Sequence, residues 1–298
     1  MHGFNNPAVL AASAAGLTSA LLMLWAMRGL PLGGLLLWLA PAPLFGAGLA
    51  FGAPWAAVAV AVGAAVVALG SSALGMVFWL ALFGWPAWLL VLLYLRRGSV
   101  SAPVAALGLY PVGLLLAVSL YFADAGGFET VLRAAINDAL GRMDRSLPDG
   151  IIDAVVRVKA AAIGLWVAAL AIGNAALAQG FLRRNGLNLA PTPDLAEARM
   201  PGWYLALVLL SGAAFALAGD AVTLSLLLLV LLPFFLMGVS AVHRRLRHRQ
   251  GRVWFLAGFY TLMLILLQIM APAMVGMGLY EQWARRPGLQ KPTPPPQT

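Results

Sequence analysis

From Met1 to Phe122 the chain carries only three ionised side chains, Arg28, Arg96 and Arg97, set between long apolar runs. Charge-free stretches such as Ala8–Met27 and Ser72–Leu95 reach the roughly 20 residues a helix needs to cross a hydrocarbon core of about 30 Å. Nine such segments succeed one another: Ala8–Met27, Leu32–Phe51, Pro54–Leu69, Ser72–Leu95, Ala102–Phe122, Ala160–Leu182, Trp203–Gly219, Ala221–Val242 and Val253–Tyr280. A soluble protein cannot solvate so much apolar surface. The pattern therefore predicts an all-α, polytopic transmembrane helical bundle of about eight or nine spans. The count is open by one because Pro41 and Pro43 remove backbone donors in the middle of the second segment, which must kink or re-enter.

The only long polar stretch, Ala123 to Lys159, has a different rhythm. Phe128, Val131, Leu132, Ala135, Ile136, Ala139, Leu140 and Met143 recur at helical spacing, with Glu129, Arg133, Asn137, Asp138 and Arg142 opposite. This is the signature of one amphipathic helix in the membrane interface. Glu129 with Arg133, Asp138 with Arg142 and Asp153 with Arg157 stand four residues apart, the spacing of helical ion pairs. Pro148-Asp149-Gly150 predicts a turn, with the sixth helix beginning near Ile151. Residues 1–283 thus read as one integral membrane domain and 284–298 as a disordered, proline-rich tail.

Composition narrows the class. Of 298 residues 62% are hydrophobic and 10% charged, and the mean hydropathy is +0.90, which leaves no separate soluble domain. The absence of cysteine excludes disulfides, thiolate metal sites and cysteine nucleophiles. The net charge of +9 is almost all arginine, with lysine only at Lys159 and Lys291. Arginine doublets beside apolar spans fit contact with a lipid bilayer and not with nucleic acid. The heavy use of Ala, Gly and Arg suggests a bacterium of high genomic GC content. His2-Gly3-Phe4-Asn5-Asn6 lacks a basic leader region, so the first segment is expected to be a retained helix.

In a nine-span arrangement Arg96-Arg97, Arg183-Arg184, Arg199 and the run from His243 to Arg252 share one face, with ten basic residues against nine opposite. The positive-inside rule makes the first face cytoplasmic, and the inner membrane the expected location. Asp220, after Gly219, is expected in an interfacial turn. No intramembrane carboxylate offers itself for ion-driven transport.

No zinc, Walker, nucleophile-elbow or paired-aspartate motif is present, so no enzyme activity, metal or cofactor is expected. His243 and His248 read as part of a solvated basic face. Asn174, Gln179 and Gln268 are the polar side chains expected deepest in the bundle, either bonding across helices or contacting a ligand. Trp38, Trp79, Trp85, Trp88, Trp166, Trp203 and Trp283 read mostly as interfacial belt anchors, with Trp38 placed by the proline break to line a cavity.

Pro41-Ala-Pro43, Arg96-Arg97-Gly98, Asn174 followed by Arg183-Arg184-Asn185-Gly186-Leu187, Pro201-Gly-Trp203, Gly238 with His243-Arg244-Arg245, and Gly278-Leu-Tyr-Glu281-Gln-Trp283-Ala-Arg285 occur in this order. The ordered set resembles the YybS-like family of bacterial membrane proteins, itself similar to the substrate-binding S components of energy-coupling-factor vitamin transporters. That resemblance implies a cytoplasmic N-terminus and a small-residue face on the first helix, here Ala11 and Ala15, that meets a membrane protein partner. It also places Arg28 in a loop covering the ligand from outside. The expected function is binding or transport of a small or amphipathic ligand of unknown identity without chemical conversion, with Asn174, Gln268, Trp38 and Arg28 as ligand contacts. The alternative is a non-transporting scaffold of a cell-envelope complex that docks through its arginine-rich loops.

Overall fold

The computed structural model describes residues 6–187 and 189–284, and among these the chain is helical, with no strand. The α-helices are α1 (Pro7–Met27), α2 (Gly33–Leu39), α3 (Ala42–Phe51), α4 (Ala53–Gly70), α5 (Ala73–Trp79), α6 (Trp85–Arg97), α7 (Ser101–Tyr121), α8 (Phe128–Arg142), α9 (Asp149–Arg184), α10 (Gly202–Ala218), α11 (Ala221–Leu246), α12 (Arg252–Ile265) and α13 (Leu267–Ala284). The expected tail, 284–298, lies outside the described residues except for Ala284, as do His2 to Asn5.

Seven segments are long and apolar enough to cross a membrane: α1, α2–α3, α4, α5–α6, α7, α9 and α11. The interruption expected at Pro41 is the break between α2 and α3. A π-helical turn, Leu80–Gly84, joins α5 to α6 just before Pro86, whose missing N–H disturbs the α-helical ladder. α10, at 17 residues, is shorter, but its ends are held at opposite faces. Before it, Met200 exchanges two hydrogen bonds with Gln282 of α13. After it, Ala221 N–H donates to the Glu129 carboxylate of α8 at 2.7 Å. Asp220 is the turn residue expected, accepting from Thr223 N–H at 2.7 Å as the N-cap of α11.

The ninth apolar segment does not cross. α12 and α13 meet at a bend of 118°. A Cβ on Gly238 of α11 would strike the Met274 carbonyl of α13, and one on Gly278 would strike the Phe234 carbonyl. Beyond that contact, toward both C-termini, Arg244 pairs with Glu281 at 2.6 Å. The two helices therefore run in the same direction. α12, exposed along nearly its whole length, leads the chain away from the face where α11 ended, along the outside of the bundle, and α13 returns it to that face. This re-entrant hairpin turns on Leu264, Ile265, Leu266 and Leu267, which are all exposed, as befits a tip facing lipid.

The hairpin corrects the nine-span arrangement: seven segments plus α10 cross, and Pro7 and Ala284 share a face. Arg285, Arg286 and Lys291 lie outside the described residues. The described residues then divide as ten basic side chains on the arginine-rich face and six, Arg28, Arg133, Arg142, Arg145, Arg157 and Lys159, on the other. Topology reporters inserted at residues 97, 184 and 247 and fused after Ala284 are expected to read out on one side of the membrane. A fusion after Ala284 that reads opposite to position 247 rules the hairpin out.

α8 lies on the opposite face with none of its residues fully buried, and Phe128, Val131, Leu132, Ile136 and Leu140 are half-buried. The expected Glu129–Arg133 and Asp153–Arg157 pairs give way to one tertiary ion pair and one helix cap. Arg133 pairs with Asp153 of α9, and Glu129 caps α11, while Asp138 and Arg142 pair as expected. α9 starts at Asp149, and its 36 residues extend about 54 Å, well past a bilayer core, so its charged first turns stand beside α8.

Candidate functional site

The four expected ligand residues do not converge. Asn174 is buried, and its Nδ2 donates to the Trp38 and Leu170 carbonyls, each at 2.8 Å. The Trp38 carbonyl lies beside the α2–α3 break, where the ladder of backbone bonds is disrupted and a side-chain donor is welcome. The Trp38 ring packs edge-on against Trp166 at 5.9 Å. Asn174 Oδ1 is buried without a hydrogen-bond partner. Gln268, expected inside the bundle, is exposed. It stands six residues before Met274, about 120° around α13 from the face that packs on α11. Arg28 is exposed where α1 ends on the opposite face.

Three further expectations change. Ala15 is buried and Ala11 half-buried within the chain. A Cβ on neighbouring Gly16 would strike the Ala59 carbonyl of α4, so α4 already fills the small-residue face of α1 that was expected to meet a partner. Trp79 is fully buried and is not a belt anchor, whereas Trp85, Trp203 and Trp283 are half exposed or more. Where no buried carboxylate was expected, Glu281 is buried between Arg244 and Arg245.

What the helices enclose instead is a cavity of about 170 Å³ toward the arginine-rich face. Phe45 and Leu49 of α3, Leu90, Val91 and Tyr94 of α6, Val104 and Leu107 of α7, and Ala171, Ala175 and Gln179 of α9 form its wall. Thr192, Pro193 and Leu195, from the segment joining α9 to α10, form its roof. Groups on α3, α6 and α9, with Arg247 beyond α11, hold that roof. Gln179 Nε2 donates to the Ala190 carbonyl at 3.0 Å, and the Tyr94 hydroxyl donates to the Pro191 carbonyl. Leu189 N–H donates to the Leu49 carbonyl at 3.1 Å, and Arg247, just past α11, pairs with Asp194 at 2.6 Å. The polar groups nearest the cavity are thus committed to its roof, leaving a lining able to hold an apolar group by burial and shape. Residues 16–280 match a family described as "Predicted membrane protein (DUF2232)". The chain belongs to that family. No curated protein and no solved structure matches it.

The match runs from α1 to α13 of this DUF2232 member and so takes in the cavity, its roof and the Gly238–Gly278 contact. The roof was not foreseen from the sequence. Its available signal was charge: among ten acidic residues only Asp194, Glu197 and Glu281 fall on the arginine-rich face, and two of them meet α11 or its end. Arg247, and the Ala196 N–H at 2.9 Å, hold the Asp194 carboxyl below the usual carboxylate range. A depressed folded-state pKa contributes stability that is present above about pH 4 and is lost as the pH falls through the folded value. Protease cleavage of the 189–198 segment is therefore expected to rise on acidification below pH 4. Asp194→Asn is expected to show the raised cleavage already at pH 7. Equal cleavage of both proteins across this range breaks the link between the ion pair and the roof.

Proposed function

We propose that this DUF2232 protein is a binding protein of a bacterial inner membrane, its arginine-rich face cytoplasmic, that takes up the apolar part of a small or amphipathic ligand without converting it. The observation that carries this reading is the roofed cavity of about 170 Å³, lined almost wholly by apolar side chains, with Tyr94 and Gln179 committed to the roof. That volume suits a small apolar ring or a short chain. Uptake from the outer side, as an S component performs it, is supported less. The cavity lies nearer the arginine-rich face than the outer one, and the small-residue face of α1 is occupied by α4. Active transport would need a partner, because the chain carries no nucleotide-binding motif. The scaffold reading is weaker, since Arg244 and Arg245 in the last turn of α11, and Arg247 after it, are paired within the chain.

The test is native purification followed by mass spectrometry of copurified small molecules, with Ala175→Phe filling the cavity. A binding protein loses the ligand on substitution, by about tenfold or more, while its melting temperature holds or rises as packing improves. A wild-type chain that purifies empty, stabilised by the phenylalanine, supports the scaffold.

A further inference from the structure

A second concavity lies outside the bundle on the same face and is independent of the roofed cavity. It is an open groove of about 900 Å³ between α6, α7 and the residues that lead into α10. Leu89, Leu93 and Arg97 of α6 share one stripe, four residues apart, so an apolar wall of about 12 Å ends in a guanidinium at the membrane face. The floor is small: Ala102, Ala105 and Ala106 of α7 leave depth where larger side chains would fill it. Across the groove stand Arg199, Met200 and the exposed Trp203, a residue suited to the headgroup level.

The charged end is built and not free to drift. Arg199 N–H donates to Ser101 Oγ at 2.9 Å, and Met200 is clamped through both backbone groups by Gln282, at 3.0 and 2.6 Å. Arg97 and Arg199 form no ion pair among the described residues, in contrast to Arg244, Arg245 and Arg247. No acidic residue lines the groove. Two guanidiniums without counter-charge, with the Ser99 and Ser101 hydroxyls at the mouth of an apolar channel, match a phosphate joined to a hydrocarbon chain. With no carboxylate to receive a headgroup amine, a net negative lipid fits better than a zwitterionic one. We propose that this groove binds an anionic phospholipid, its phosphate between Arg97 and Arg199 and one acyl chain along Leu89, Leu93 and the alanine floor.

The test is native mass spectrometry of the full chain in detergent with equal amounts of dioleoyl phosphatidylglycerol and dioleoyl phosphatidylcholine. The expected result is preferential retention of phosphatidylglycerol. Arg97→Gln with Arg199→Gln reduces that retention by about tenfold or more, the scale of one lost charge-assisted hydrogen bond. Arg249→Gln, on the same face but outside the groove, leaves it unchanged. Ala102→Trp blocks the floor without altering charge and lowers retention to a similar extent, which decides the matter should the double variant fail to fold. Equal retention of the two lipids, an equal loss with Arg249→Gln, or unaltered retention in Ala102→Trp overturns the assignment. Displacement of the lipid by millimolar inorganic phosphate marks a plain anion site and overturns it as well.

Discussion

Valine at Gly238 or at Gly278 is expected to prevent α13 from docking on α11 and to lower the melting temperature in detergent by about 5–15 °C. Each substitution drives a side chain into a carbonyl of the facing helix, Met274 in one case and Phe234 in the other. A backbone carbonyl cannot swing aside as a side chain can, so the helices must separate along the whole crossing. Overpacking costs about 1–3 kcal/mol in a core able to adjust, and this one has little freedom to adjust. In lipid no hydrophobic force drives helices together, so the close approach is itself most of the attraction that is lost. With a cost toward and beyond the top of that range, about 3–4 kcal/mol, and about 2–4 °C per kcal/mol for a chain of this size, the expected drop follows. Gly276→Ala, on the same helix with open space around it, is the control and should leave the melting temperature unchanged. A Gly278→Val protein that melts like wild type would falsify the close parallel packing.

Glu281→Leu should have the next largest effect. The Glu281 side chain is 9% exposed and bridges Arg244 at 2.6 Å and Arg245 at 3.5 Å. Leucine leaves both guanidiniums without this counter-charge beside the C-terminal turn of the hairpin. For a fully buried pair the loss of one partner costs about 3–5 kcal/mol. Here Arg244 and Arg245 are 37% and 54% exposed and can reach water, so about 1–3 kcal/mol is expected. Adding Arg244→Leu should recover part of that loss, because the stranded charge goes with it. Strictly additive melting shifts in the two single variants and the double variant would mean that Arg244 and Glu281 do not support each other.

The sequence by itself determined the class of this protein: an all-helical membrane chain, its apolar segments in order, a break at Pro41, a turn at Asp220 and an amphipathic α8. Each of these rests on a local property. The length of an apolar run, the place of a proline and the spacing of charges act within one helix and can be read from one helix. Only the tertiary structure decided which groups answer one another across helices. Hydropathy gives Val253–Tyr280 the same profile whether it crosses or returns. The decision falls to Gly238, Gly278 and the Arg244–Glu281 pair, which bring distant parts of the chain together. Arg133 finds Asp153 in place of Glu129 because α9 runs beyond the membrane and sets that carboxylate beside α8. Asn174 and Gln268 carry the same kind of side chain, yet one is buried at a helix break and the other exposed. An amide's environment is set by the helix face it occupies and by what packs there, and neither is written in the residues around it.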